Sequence, residues 1–506
     1  MKTTAYDELS ELVKDIYLYQ SAWTIVTWDS YTGLPPGGQT QRAELQGYLG
    51  KVHHRMASNP RIGELLAEIE RGSESFNDIQ IRNILLHKRY HAMATAVPEE
   101  TFTRLVKQGS TTRVKREEAI SKQDWSIYEP ELSKMFEYSL DYAGHLEEVT
   151  GVSDPYDIHF DLHERGMRAE YIKKVFAELT KHVVPMIKKY APICEDVRTD
   201  FLGRLVPIED QRRIVEEVAN LVGYDTKSDG AIGRIGETMH PVSMGRYADT
   251  RVAIRFVEDN FLFSYKATLH ECGHALYSVN LNREWMYQPV GMPAGFGVNE
   301  SQAKFLEYVI GQSPEFLNFF LPKINSFTNN LFADVTPQEL SRAANIVKPG
   351  PIRMASDELS FTLHIIIRFE IEHDLFAGKI EISDIPTVWN ELYEKYLGVE
   401  VANHAEGALQ DVQWSVGEFG HFPCHTLGNL LMAQLVEKMA NDLPEWQKQM
   451  TEGDVTSTIL WMKENIHKKG SLYDAPDLIE HVTGKKISAR PFLNYLTTKY
   501  KILFQS

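Results

Sequence analysis

Tyr265-Lys266-Ala267-Thr268-Leu269-His270-Glu271-Cys272-Gly273-His274-Ala275-Leu276 carries the pattern H-E-x-x-H inside an apolar helical segment. Four residues advance a helix by about 400°, so His270 and His274 lie on one face, one turn apart. Two imidazoles so placed can both reach one zinc ion at about 2.0 to 2.1 Å. Glu271 stands about 100° round from His270, where it can take a proton from an activated water without ligating the metal. Leu269, Ala275 and Leu276 make the helix apolar. An apolar helix gains nothing by burying two histidines and a glutamate that hold no metal.

Downstream, Asn299-Glu300-Ser301-Gln302 opens a second apolar-periodic segment with Phe305, Val309 and Ile310. A carboxylate on a helix at that remove supplies the third ligand when no third histidine follows closely, which assigns the role to Glu300. Glu307, two helical turns on, is the rival on the same face, in surroundings that carry no motif. Three protein ligands leave one position open for water or substrate.

The surrounding chain reads as helical. Leu9, Leu12, Val13 and Ile16 recur at helical spacing, and similar stripes run through residues 171–190, 212–222, 361–376 and 429–439. Turn chemistry breaks them at Pro35-Pro36-Gly37-Gly38 and Lys348-Pro349-Gly350-Pro351. Arg251 to Phe256 alternates as a strand does, which predicts a short hairpin before residue 264. No internal repeat, low-complexity tract or long linker interrupts the pattern. The expectation is a mainly α fold, one unit over residues 1–506, with a small β element before the H-E-x-x-H helix.

Composition narrows the function classes. A net charge of -17 over 506 residues argues against a sequence-independent nucleic-acid binder, which needs basic stripes to meet phosphates. Cys194, Cys272 and Cys424 are too few and too scattered for a disulfide framework, and none forms a C-x-x-C pair. The opening residues alternate Asp7, Glu8, Glu11, Lys14 and Asp15 with apolar positions, an amphipathic helix and not a signal peptide. No apolar run of about 18 residues is present, so no membrane partner is expected, and the expected location is the cytoplasm.

Further landmarks make the chain resemble the carboxypeptidase Taq family of metallocarboxypeptidases along nearly its whole length. Trp28-Asp29 and Leu34-Pro35-Pro36-Gly37-Gly38 look like that family's opening, and Asp154-Pro155-Tyr156-Asp157 with Glu164-Arg165-Gly166-Met167 is similar to its next landmark. His240-Pro241-Val242 resembles H-P-F, and Asp249-Thr250-Arg251-Val252-Ala253 resembles D-x-R-x-T. Asn299-Glu300-Ser301-Gln302 stands in the place of H-E-S-Q, and Ile352-Arg353-Met354-Ala355-Ser356-Asp357 resembles I-R-x-x-A-D. Gly407 to Trp414 resembles G-x-x-Q-D-x-H-W, and Phe419 to Asn429 resembles a segment with tyrosines where His421 and His425 stand.

The resemblance implies a helical, saddle-like fold with a deep groove, and a homodimer. It implies removal of C-terminal residues from peptides, with broad side-chain tolerance, at a zinc- or cobalt-dependent site. His270, His274 and Glu300 map to metal ligands and Glu271 to the general base. An exopeptidase of this kind must hold a free carboxylate, for which the planar fork of arginine is suited. Arg353 is the first candidate and Arg251 the second, with His240, Gln410, Asp411, His421 and His425 in the substrate-facing shell. Against that role, Arg251 can pair with Asp249, and Arg353 with Asp357 or Glu358. The departures are Val242, Ala253, Asn299, Gln413, His421 and His425, none of them a metal ligand. Retained metal chemistry beside an altered substrate shell leaves two alternatives, a zinc oligopeptidase of shifted specificity and a non-catalytic, metal-retaining peptide-binding protein. The retained Glu271 favours catalysis. Pro423, between His421 and His425, opposes a second zinc face there.

Overall fold

Residues 4–72 and 75–505 are described by a computed structural model, in which helices predominate and one three-stranded sheet stands out. Five helices and the sheet position the site. The first helix, α1 (Ala5–Thr32), is closed at its start by a reciprocal cap between Thr4 and Asp7. Its buried Leu9 and Val13 pack against Ile62, Leu65, Leu66 and Ile69 in a small cluster of their own. The stripes expected at 171–190 and 212–222 lie in helices Ala169–Cys194 and Ile208–Leu221.

The sheet comprises β1 (Gly233–Glu237), β2 (Val242–Arg246) and β3 (Asp249–Ile254), in the order β1-β3-β2. β3 is the strand expected at Arg251–Phe256. Its hairpin partner β2 lies upstream, antiparallel, and β1 pairs with it in parallel. The hairpin turn lies between β2 and β3, upstream of the alternating residues, and the Glu258-Asp259-Asn260 segment follows the sheet. It leads into the next helix, which Asn260 caps by accepting from the Phe263 N–H. Val242 and Ala253, two departures from the resemblance, are register partners in the hairpin, so both changes fall on one cross-strand pair.

That next helix, α2 (Phe261–Val279), carries H-E-x-x-H and is buried around nearly all of its surface, from Phe261 and Leu262 to Tyr277 and Val279. A helix apolar all round belongs in a core. Helix α3 (Phe296–Lys304) bears Glu300 and continues as a π-helix over Phe305–Gly311, a wide turn often found at functional sites. Helix α4 (Glu358–Phe376) starts at Asp357, whose carboxylate accepts from the N–H groups of Leu359 and Ser360. Helix α5 (Pro423–Asp442) has Pro423 in its first turn, which places His421 before the helix and His425 inside it. These helices share one large core reaching from Ala119 to Tyr500. Among the described residues no helix is long and apolar enough to cross a membrane.

Candidate active site

Two glycines set how closely three helices approach. A Cβ on Gly273, in the middle of H-E-x-x-H, would meet backbone atoms of α3, with Ala303 Cα at 2.5 Å. A Cβ on Gly428 of α5 would lie 2.6 Å from Glu300 Cγ. Neither space admits a methyl group, so backbone contact between α2 and α3, and contact of α5 with Glu300, require glycine. The crossing of α2 and α3 delivers Glu300 to the two histidines. One donor atom from each of His270, His274 and Glu300 lies within 4.8 Å of the others. Nε2 of His274 stands 3.6 Å from Glu300 Oε2, and Nε2 of His270 stands 4.0 Å from Oε1. Two imidazole nitrogens and a carboxylate oxygen at these separations fit a divalent ion of the zinc type.

The outer faces of these groups are occupied too. Nδ1 of His270 lies 2.9 Å from Glu307 Oε2, so the rival third ligand stands behind His270 instead of beside Glu300. A carboxylate only accepts, which puts the imidazole proton on Nδ1 and leaves the Nε2 lone pair facing inward. Lys304, buried one turn beyond Glu300, sets its Nζ 3.3 Å from Glu300 Oε1 and 3.6 Å from Glu307 Oε2. Burial works against the charge on Glu300, but Lys304 and then His425 outweigh it and hold the carboxyl well below the usual range. Burial likewise opposes charge on Glu307, yet Lys304 and His270 draw it down to about 2. His274 goes the other way, lowered by burial and then by His270 to about 4, which keeps it neutral and able to ligate. Asn299 lies beside it and partly opposes that shift.

Glu271 is buried next to this cluster, with Ser243 of β2 beside it, and burial pushes its carboxyl up to about 7. A carboxyl poised near neutrality can both accept and return a proton.

The substrate-shell candidates divide. His425 Nδ1 lies 3.4 Å from Glu300 Oε1, and the His421 ring sits between Phe296 and His163, with centroids 4.4 and 5.1 Å away. Arg353 is buried and pairs through Nε and Nη2 with Asp411 Oδ1, at 3.0 and 2.9 Å. Neither Asp357 nor Glu358 is its partner. Asp357 is spent capping α4, and Glu358 binds Lys499 at 2.7 Å. Arg368, fully buried, takes the other oxygen of Asp411 at 2.5 Å, so two guanidiniums share one carboxylate and keep a net positive charge. Gln410 accepts from the Arg353 N–H at 3.0 Å and donates to the carbonyls of Pro351 and Glu406, which fixes the loop and not a ligand. Arg251 pairs with Asp249 at 2.9 Å, and His240 is exposed between β1 and β2. The structure shows neither of these two in contact with the cluster of His270, His274 and Glu300. Lys304, Ser243 and the two close-packed glycines have no role in the sequence reading, and Glu307 enters it as a rival ligand and not as the partner of His270. The one signal for Glu307 is its seven-residue spacing from Glu300.

Comparison with known proteins points to one family along nearly the whole chain. The family model described as carboxypeptidase Taq (M32) metallopeptidase matches residues 8–500. The chain is 33% identical over 502 residues to carboxypeptidase 1 of Bacillus subtilis (strain 168), covering 98% of each chain. It is 33% identical over 512 residues to thermostable carboxypeptidase 1 of Thermus thermophilus, covering 99% of each. The crystal structure of the M32 carboxypeptidase from Deinococcus radiodurans R1 superposes with a TM-score of 0.95 at 31% identity, over 99% of this chain and 100% of that one.

Proposed function

The chain belongs to the carboxypeptidase Taq (M32) metallopeptidase family, and from that premise we propose that it is a zinc-dependent carboxypeptidase with Glu271 as its general base. The observation that carries this reading is the convergence of His270, His274 and Glu300 within 4.8 Å, one residue from a buried Glu271. A divalent ion held by those three side chains supplies Lewis-acid activation of water and of the scissile carbonyl. Zinc suits two imidazoles and a carboxylate, and cobalt accepts the same donors.

The chain's own residues do the rest. Glu271 takes the proton of the attacking water and returns it to the leaving amine. Arg353 binds the substrate's C-terminal carboxylate, because the charge shared by Arg353, Arg368 and Asp411 is only half neutralised. Gln410 and Asp411 position that guanidinium. Burial lowers the pKa of both His421 and His425, so each is a neutral imidazole able to donate to the carbonyl oxygen or the carboxylate. The family resemblance alone supports Arg251 and His240 as further substrate-binding residues. The substrates are peptides with free C-termini, taken with broad side-chain tolerance. A two-fold homodimer in the cytoplasm completes the reading, supported by the family resemblance and by three buried, unpaired cysteines.

Glu271→Gln tests the assignment. The variant keeps about one metal per chain and loses on the order of 10²- to 10⁴-fold in turnover. Near wild-type turnover with metal retained defeats the general-base role.

A further inference from the structure

Arg246 ends β2 half-buried, and burial lowers the pKa of its guanidinium. Among the described residues it has no ion pair. Its Nη1 meets only Met292 Sδ, a weak acceptor, and its Cζ lies 5.9 Å from the centre of the Tyr17 ring. Other withdrawn guanidiniums here have oxygen acceptors: Arg353 and Arg368 share Asp411, Arg82 and Arg165 share Asp474, Arg89 has Asp161, and Arg116 donates to the Leu409 and Gln410 carbonyls. An unpaired, desolvated charge is costly in a folded chain, so its counter-charge is expected from outside.

Arg246 borders a cavity of about 300 Å³ between α1 and the β2–β3 hairpin. Tyr17 and Ile25 line it from α1, with Met286, Tyr287 and Met292 opposite. Burial raises the Tyr17 phenol, which stays protonated, and its hydroxyl makes no hydrogen bond among the described residues. It is therefore a free donor beside the guanidinium. Arg251 lines the same cavity, but Asp249 already neutralises it. One guanidinium without a counter-charge, the Tyr17 and Tyr287 hydroxyls, and thioether, aliphatic and aromatic walls select a singly charged, planar anion with an apolar body, while the Ser21, Thr24 and Tyr247 hydroxyls already donate to backbone carbonyls.

We propose that Arg246 and Tyr17 form a binding site for a carboxylate on an apolar or aromatic small molecule. The site is separate from the cluster at His270, His274 and Glu300. Ser243, beside Glu271, precedes Arg246 by three residues on β2, about 10 Å at the rise of a strand. None of His270, Glu271, His274 and Glu300 lines the cavity, and binding there does not depend on the proposed hydrolysis.

Calorimetric titration of the full chain with 3-phenylpropionate and with its amide tests the site, using wild type, Arg353→Met, and Arg246→Met and Tyr17→Phe each combined with Arg353→Met. The acid binds wild type at least about tenfold more tightly than the amide. Arg353→Met removes carboxylate binding at the proposed active site, and in that background Arg246→Met lowers the remaining acid affinity about ten- to a hundredfold while Tyr17→Phe lowers it less. If Arg246→Met does not fold, Tyr17→Phe carries the test alone. The proposal is overturned if the acid fails to bind wild type, if adding Tyr17→Phe and adding Arg246→Met both leave the affinity of Arg353→Met unchanged, or if Arg353→Met alone abolishes binding.

Discussion

Nδ1 of His270 and Oε2 of Glu307 are 2.9 Å apart, joining the H-E-x-x-H helix to the π-helical continuation of α3. That contact fixes the imidazole's tautomer and aim, and outer partners of this kind change metal affinity about 10- to 100-fold. Glu307→Ala is expected to weaken metal binding by that factor in a chelator competition, with the fold retained. Unchanged affinity shows that the contact does not orient His270.

Gly273 makes a second test, of the helix crossing. A Cβ there would collide with Ala303 Cα and the backbone before it. Gly273→Ala forces α2 from α3 at a cost of about 1–3 kcal/mol. The variant unfolds at a lower temperature and binds metal more weakly, because Glu300 moves away from His270 and His274. Wild-type melting and metal affinity in the Gly273→Ala variant contradict the packing account.

How much of this is legible in the sequence depends on how far apart the partners lie. His270, Glu271 and His274 are legible because one helical turn carries them, and Glu300 because it opens its own apolar segment. The Glu307 contact crosses between helices 37 residues apart, and no local periodicity reports it. Arg353 reads locally as a partner of Asp357 or Glu358. Asp357 instead closes the start of α4, and the pairing goes to Asp411, 58 residues on. The glycine in H-E-x-x-H has a plain meaning only once the crossing helix is known. The strand at Arg251 is likewise legible, but its partners β2 and β1 are not, since neither alternates strongly.

Glu164 yields a pH-dependent prediction away from the metal ligands. It closes the start of α3 by accepting from the Gly297 N–H, while its Oε1 is buried without a partner. Burial raises its carboxyl from 4.5 to about 8. The folded state therefore holds a proton that the unfolded state releases above pH 4.5. This contribution to stability is complete below about pH 4.5 and is lost as pH rises toward 8. Glu164→Gln removes the titration, so its melting temperature gains on wild type as pH goes from 5 to 8. A difference independent of pH rules out this linkage.

Recognition of the free carboxylate separates an exopeptidase from the oligopeptidase and scaffold alternatives. The decisive measurement is mass spectrometry of products from the zinc-loaded chain acting on N-blocked peptides, each supplied as free acid and as C-terminal amide, with Arg353→Ala in parallel. The account predicts stepwise loss of C-terminal residues from the free acids. Amides are slower by about 30- to 1,000-fold, and Arg353→Ala reduces the free acids to the amide rate. Equal cleavage of acid and amide by the wild-type chain, or cuts at internal bonds, contradicts it.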